Sequence, residues 1–290
     1  MVKKDLICIL NGGLGNQLFQ VAHAYTLEKK YGVTPIYDMG EYLFVTKYRK
    51  PDIYRLKISE QMTFKSFDKR LRSWWRHQYV NEFAYKFFKK NIFKEEKYRN
   101  KNYHWITGEE SDYFDEKSEL NVILGYFQRE KFFISARDDL QQLLIPRDDL
   151  IDQQTREYEK KMRSEQSVSI HVRRGDFVDL GIGLSMEYYH KAIALIKKKL
   201  SGDIKFYIFS NDINWCKTQF SDLDCEYVSL QGKDADINEM YLMSCCKHNI
   251  TSNSTFGWWG AWLNGNPDKI VIAPTVGISQ GVLPDSWIKI

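Results

Sequence analysis

The stretch DLICILNGGLGNQLFQVAHAYTLEKKYGVTPIYD, residues 5–38, decides the fold class. It opens with an apolar run at 5–10, and three glycines punctuate the turn after that run. Leu18, Val21, Ala22 and Tyr25 then recur at i, i+3, i+4 and i+7, the spacing of one helix face. A second apolar run closes at Asp38. Strand, tight turn, helix and strand make up the unit of a parallel sheet joined by a right-handed crossover. The expected class is therefore α/β.

The same rhythm returns after a polar stretch at 137–167 that is dense in Asp, Gln, Arg and Lys. Strands are expected at 167–172, 205–209, 226–230, 248–251 and 269–273. A helix is expected over 186–200, where Tyr189, Ile193, Ile196 and Leu200 share a face, with further helices near Ile213, Ile237 and Phe256. A chain of 290 residues reaches the size at which single cores stop growing, about 250–300 residues, so two lobes are expected. The boundary is placed near residue 150, giving lobes 1–150 and 151–290.

Between 65 and 101 the character changes to 12 Lys/Arg, 4 Asp/Glu and ten aromatics, among them Trp74, Trp75, Phe83, Phe87 and Phe88. This reads as a helical insert of about 62–105 whose aromatics pack on the core. A surface for an anionic membrane is the sharper expectation, because basic and aromatic residues together suit a headgroup layer. No nucleic-acid motif accompanies it, so nucleic acid is not expected as a partner.

Composition excludes other classes. With 43 % hydrophobic residues and a net charge of +4, the chain is neither disordered nor a polyanion binder by charge alone. No apolar run approaches the roughly 20 residues that span a bilayer, and the first residues lack a signal-peptide core, so a cytoplasmic protein is expected. Cys8, Cys216, Cys225, Cys245 and Cys246 have no C-x-x-C spacing and read as reduced thiols. The sequons at Asn249 and Asn253 carry no weight in that compartment.

Three clusters carry chemistry. Asn11-Gly-Gly-Leu-Gly15-Asn16-Gln17 occupies the first strand-to-helix turn, where backbone amides favour an anion. It nearly matches the dinucleotide fingerprint and Asp38 ends the next strand, but Leu18 stands where the third glycine belongs. His171-Val-Arg173-Arg174-Gly-Asp176 lies where a buried strand meets its loop, and ligands of open α/β sheets bind outside such ends. A guanidinium fork there matches a diphosphate bidentately at any working pH. Ser252, Asn253, Ser254 and Thr255 precede the apolar face of Phe256, Trp259, Gly260 and Leu263, so they form the N-terminus of a buried helix and offer donors to an anion. Asp222-Leu-Asp224 and Asp234-Ala-Asp236 have metal-binding spacing, yet such pairs arise by chance among 38 acidic residues.

In this order, GGLGNQLFQ (12–20), HVRRGDF (171–177), FSND (209–212) and LMSCCKHNITSNSTFGWWGAWLN (242–264) resemble the α-1,2-fucosyltransferases of glycosyltransferase family 11, bacterial members in particular. The resemblance implies a GT-B-like fold of two Rossmann-type lobes, 1–150 as the acceptor side and 151–290 as the GDP-fucose-binding lobe, with GDP-β-L-fucose as donor, no metal and no cofactor, and inverting transfer to the 2-hydroxyl of a galactoside. The acceptor would be a galactose-terminated oligosaccharide or glycolipid, in bacterial surface-glycan (lipopolysaccharide, O-antigen) synthesis. It makes Arg173 the diphosphate clamp, with Arg174 and Asp176 holding the loop. His171 and Asn211 or Asp212 would contact guanine, Gly15 and Asn16 would reach the β-phosphate or fucose, and Asn253, Ser254 and Thr255 would line the phosphates. Asp176 and Asp179 are the candidates for a general base. Two readings compete: an NAD-dependent oxidoreductase resting on the first turn and Asp38, and a non-catalytic binder of glycans or anionic membranes.

Overall fold

The structure is a computed structural model, and it describes residues 5–46, 50–88, 99–108, 113–276 and 282–290. The chain divides into two compact units: Met1–Tyr54 with Ile58–Arg137, and Arg55–Lys57 with Asp138–Ile290.

The first unit is built on a parallel five-stranded sheet. Its strands are β1 (Asp5–Ile9), β2 (Pro35–Asp38), β3 (Thr63–Lys65), β4 (His104–Ile106) and β5 (Leu120–Ile123), in the order β3-β2-β1-β5-β4. Helix α1 (Leu14–Tyr31) follows β1 and buries Leu18, Val21, Ala22 and Tyr25, the face expected from its periodicity. It stops at Gly32, whose φ of 65° is the left-handed conformation a C-terminal glycine supplies without side-chain strain. A short α2 (Gly40–Phe44) and α3 (Arg72–Phe88) complete the described helices of this unit.

The stretch 62–105, expected as a helical insert, carries helix α3 and two short strands. It begins at β3 and ends in β4, so α3 belongs to the connection between two strands. Strands of three residues are too short to show a period, which hid them within the basic and aromatic composition. Trp74 and Trp75 pack inward with Ile7, Ile9 and Trp105, whereas Tyr79, Phe83 and Tyr85 are exposed. Lys89, Lys90 and Lys94 of the basic stretch lie outside the described residues.

The second unit carries β6 (Gln166–Val172), β7 (Ile204–Ser210), β8 (Cys225–Val228), β9 (His248–Ile250), β10 (Val271–Ala273) and β11 (Ile288–Lys289), all parallel, in the order β11-β10-β9-β6-β7-β8. Its helices are α4 (Arg137–Leu143), α5 (Gln153–Ser164), α6 (Asp176–Asp179), α7 (Met186–Lys199), α8 (Ile213–Gln219), α9 (Ala235–Cys245) and α10 (Thr255–Trp262). The division falls between Arg137 and Asp138 rather than near residue 150. The reason is packing: Leu140 and Leu144 are fully buried, and Gln141 donates to the carbonyls of Trp262 and Asn264. Val168, Ile170 and Val172 of β6 form the centre of the core with Tyr189, Ile193 and Ile196 of α7. None of the described helices is long and apolar enough to cross a membrane.

Candidate functional site

In the second sheet the strand order reverses at β6 and β9, which lie side by side, with β7 on the other flank of β6. Loops leaving the carboxyl ends of two such strands diverge and open a crevice, where α/β sheets bind ligands. Here β6 delivers His171 to Asp176 and β9 delivers Ser252 to Thr255.

The two loops are tied together below the crevice. His171 is 5 % exposed and its Nδ1 is hydrogen-bonded to Ser252 Oγ at 2.9 Å. Burial, assisted by the charge of Arg173, pushes its pKa down to about 3, so the ring is neutral and acts as a fixed hydrogen-bonding post. Gly257 is required beside it, since a Cβ there would lie 2.3 Å from Nδ1. Above the post, the Arg173 Nη2 donates to Asp176 Oδ1 at 2.7 Å and the guanidinium lies over the Phe177 ring, while its Nε is buried with no hydrogen-bond partner among the described residues. Arg174 turns the other way, its guanidinium carbon 3.9 Å from the centre of the Trp215 ring. That division of labour arises because successive residues of an extended segment point to opposite faces.

Asn211 and Asp212 serve the loops. Asn211 Oδ1 accepts the Arg174 amide at 2.8 Å, and Asp212 caps α8 by accepting the Trp215 amide at 3.1 Å. Ser254 caps α10, its Oγ accepting the Phe256 amide at 3.3 Å. Asn253 Nδ2 donates to the Ile182 carbonyl at 2.8 Å, and its Oδ1 is buried without a partner among the described residues. Trp258, Trp259 and Trp262 are core, and Gly260 lets α10 lie against Met243 of α9. Asn249 and Asn253, the two sequon asparagines, are 1 % and 2 % exposed.

Glu239 of α9 had no motif to announce it, only a polar pair with Asn238 inside a largely buried helix. Its carboxylate accepts the Leu230 amide, just past the end of β8, at 3.3 Å. Burial first, and Asp236 second, raise its pKa to about 7. A perturbed carboxyl at the binding edge of a sheet is a site candidate with a physical cause.

In the first unit, the glycine turn is held by its own neighbours. Gln17 donates to the Gly12 carbonyl and accepts the amides of Asp52 and Ile53, and Gln20 exchanges hydrogen bonds with Asn11. Asn16 Oδ1 accepts from Gln128 Nε2 at 2.9 Å, and Gly15 is buried at the start of α1. Gly12 has φ 74° and its carbonyl also accepts the Tyr42 hydroxyl, so this glycine is fixed by conformation. Asp38 is fully buried and accepts the amides of Gly40 and Asp68, which removes the ribose-binding carboxylate that the oxidoreductase reading needs.

Three of the four D-x-D aspartates, Asp224, Asp234 and Asp236, meet cations of this chain. Arg55 forks onto Asp236 with contacts of 2.5 and 2.8 Å and reaches Asp234 at 3.7 Å, and Lys205 pairs with Asp224 at 3.3 Å. Among the described residues no group of three metal-ligating side chains converges. All five cysteines are free.

Two parallel sheets flanked by helices, the second with a switch point between β6 and β9, make an α/β protein whose fold is GT-B. A structure of the α-1,6-fucosyltransferase NodZ soaked with GDP-fucose matches it with a TM-score of 0.55 at 16 % identity, covering 90 % of this chain and 92 % of that one. The model of Glycosyl transferase family 11 matches residues 6–281, and the chain belongs to that family. The Escherichia coli protein named alpha-1,2-colitosyltransferase is 29 % identical over 98 % of both chains. A second Escherichia coli relative, the O-antigen biosynthesis glycosyltransferase WbnK, is 30 % identical over 97 % of this chain and 99 % of its own.

Proposed function

We propose that this glycosyltransferase moves L-fucose from GDP-β-L-fucose to the 2-hydroxyl of a galactoside, with inversion, in the synthesis of a bacterial surface glycan. The observation that carries the reading is the junction of β6 and β9, where His171 ties the Ser252–Thr255 row to the strand that leads into Arg173. Arg173 and the first amides and hydroxyls of α10 meet the diphosphate. Fixed donors of this kind stabilise charge that develops on a leaving group, because they need no reorganisation as the bond breaks. Glu239, as a carboxylate, pairs with the N1–H and amino donors of guanine.

In the transfer, the acceptor oxygen bonds to the anomeric carbon from the face opposite the diphosphate. The bond from that carbon to the β-phosphate oxygen breaks, and GDP keeps the electron pair. Asp176, once the diphosphate takes Arg173 from it, receives the hydroxyl proton. Calorimetry with GDP, followed by determination of the product linkage on a small galactoside panel, tests the assignment. GDP-colitose belongs beside GDP-fucose in that assay because a relative is named for colitosyl transfer. Saturable GDP binding and an α-1,2-fucosyl product are expected; absence of GDP binding refutes the reading.

A glycolipid acceptor would bring the enzyme to a membrane surface, and one face of α3 favours this. Arg76, Tyr79, Val80 and Phe83 are spaced i, i+3, i+4 and i+7, and the three apolar side chains are 46 %, 36 % and 55 % exposed. Basic and aromatic residues on one face bind anionic headgroups in a salt-dependent way. Cosedimentation with anionic liposomes at low and high salt tests it, and no binding at low salt rejects it.

A further inference from the structure

At the centre of the first sheet β1 and β5 lie side by side and parallel, so the turns that follow them leave from the same carboxyl edge. Open α/β sheets bind ligands outside that edge. The turn after β5 is strained. Phe127 has φ 54°, the one non-glycine residue in the left-handed region among those described, and a bulky side chain stays in that region only where its surroundings hold it there. The Phe127 ring is 5 % exposed, stacks on His23 of α1 with 4.3 Å between ring centres and meets Phe132 edge-on at 5.3 Å. Gly125, at φ 145°, and Gly108, at φ 81°, lie against the same ring, where a Cβ would come within 3.5 and 3.1 Å of it. The Arg129 amide closes the turn by donating to the Phe127 carbonyl at 2.8 Å.

With Phe127 turned inward, its neighbours reach the glycine turn after β1. Tyr126 is 42 % exposed, and its ring passes so close to that turn that a Cβ on Gly12 would lie 3.3 Å from its Cε1. Gln128 is half-buried and donates to Asn16 Oδ1, at the start of α1, at 2.9 Å. The set therefore joins a flat aromatic face to two side-chain amides, which carry hydrogen-bond donors and acceptors together and no formal charge. That is the chemistry of a pyranose site, where C–H bonds lie on the ring and hydroxyls take the amides. A phosphate would instead call for a cation or charge-assisted donors. Backbone strain of this kind persists where the geometry it presents is used.

We propose that Tyr126 is a specificity-determining residue of the transfer, the platform on which a pyranose of one of the two substrates, the fucosyl group or the galactoside, is stacked; the inference rests on the fucosyl-transfer reading above. Tyr126→Leu keeps bulk against Gly12 and removes the ring face, whereas Tyr126→Phe keeps the face and removes only the hydroxyl. Both are made in the full-length protein. The readouts are the KM of lactose at saturating GDP-fucose, the KM of GDP-fucose at saturating lactose, GDP affinity by calorimetry and the melting temperature. Tyr126→Leu should raise at least one KM tenfold or more, Tyr126→Phe should stay within threefold of the parent, and both should bind GDP within twofold of it. A rise confined to lactose places the acceptor's ring on Tyr126, a rise confined to GDP-fucose places the fucosyl ring there, and a rise in both sets Tyr126 against both rings. If Tyr126→Leu leaves both KM values within twofold, or Tyr126→Phe is as impaired as Tyr126→Leu, no ring is stacked there and the proposal is overturned. A Tyr126→Leu protein that melts well below the parent or loses GDP affinity gives Tyr126 a structural role and overturns it as well. If the parent itself binds no GDP, the transferase reading fails and the proposal falls with it.

Discussion

Alanine at Gly257 tests the post on which the site is built. Its methyl carbon would lie 2.3 Å from His171 Nδ1 and 3.0 Å from Cγ. The ring cannot yield cheaply, because it is 5 % exposed and its strand is paired on both sides, to β7 and to β9. Relief requires either a shift of α10 or a turn of the ring that breaks the bond to Ser252. Overpacking a core costs about 1–3 kcal/mol and orphaning a buried hydrogen-bond partner about 1–3, so by either route the loss should be about 1–3 kcal/mol. Urea unfolding followed by tryptophan fluorescence reads it directly, since α10 carries Trp258, Trp259 and Trp262. In a His171→Ala background the nearest ring atoms are gone and the closest remaining contact is Cβ at 3.3 Å. The Gly257→Ala cost should there fall below about 1 kcal/mol, a coupling characteristic of touching residues. GDP affinity of the single variant should drop at least tenfold, because Ser254 and Thr255 move with α10. A stability within about 0.5 kcal/mol of the parent, or an equal cost in both backgrounds, would refute the reasoning.

Arg173→Lys should fold normally and lose about 2–4 kcal/mol of transition-state stabilisation, roughly 30- to 1000-fold in rate, since a point ammonium cannot reproduce the fork; a variant keeping half the parent's activity removes Arg173 from the phosphate role. Glu239 titrates near pH 7 in the free enzyme. It is therefore protonated below that value and loses the acceptor guanine requires, so GDP affinity should fall as pH drops from 8 to 6, while Glu239→Gln should bind weakly and without that dependence. A parent profile flat over this range would contradict the base assignment. Activity should survive EDTA, because Arg55 already faces Asp234 and Asp236, Lys205 faces Asp224, and the proposed mechanism gives the diphosphate to Arg173 and α10. Complete loss restored by Mn²⁺ or Mg²⁺ would return those aspartates to the metal.

The α/β class, the helix at 186–199 and the place of the His171–Asp176 and Ser252–Thr255 clusters were legible in the chain itself. Each depends on a local signal: a period of 3.6 in α1 and α7, apolar runs in β1, β6 and β7, and polar residues just beyond them. Strands as short as β3, β4 and β11 carry no period, and pairing with distant neighbours decides them. The same limit hid the chemistry of single residues. Arg55 becomes the counter-charge of Asp234 and Asp236 only because residues 55–57 join a unit otherwise made of 138–290. His171 becomes a neutral post because β9 and α10 close over it, and Glu239 is perturbed because the turn after β8 folds onto it. Burial and partner distance are properties of the packed sheet. A linear sequence states which side chains are present and in what rhythm, whereas only their assembly sets the dielectric around them and the atoms they meet.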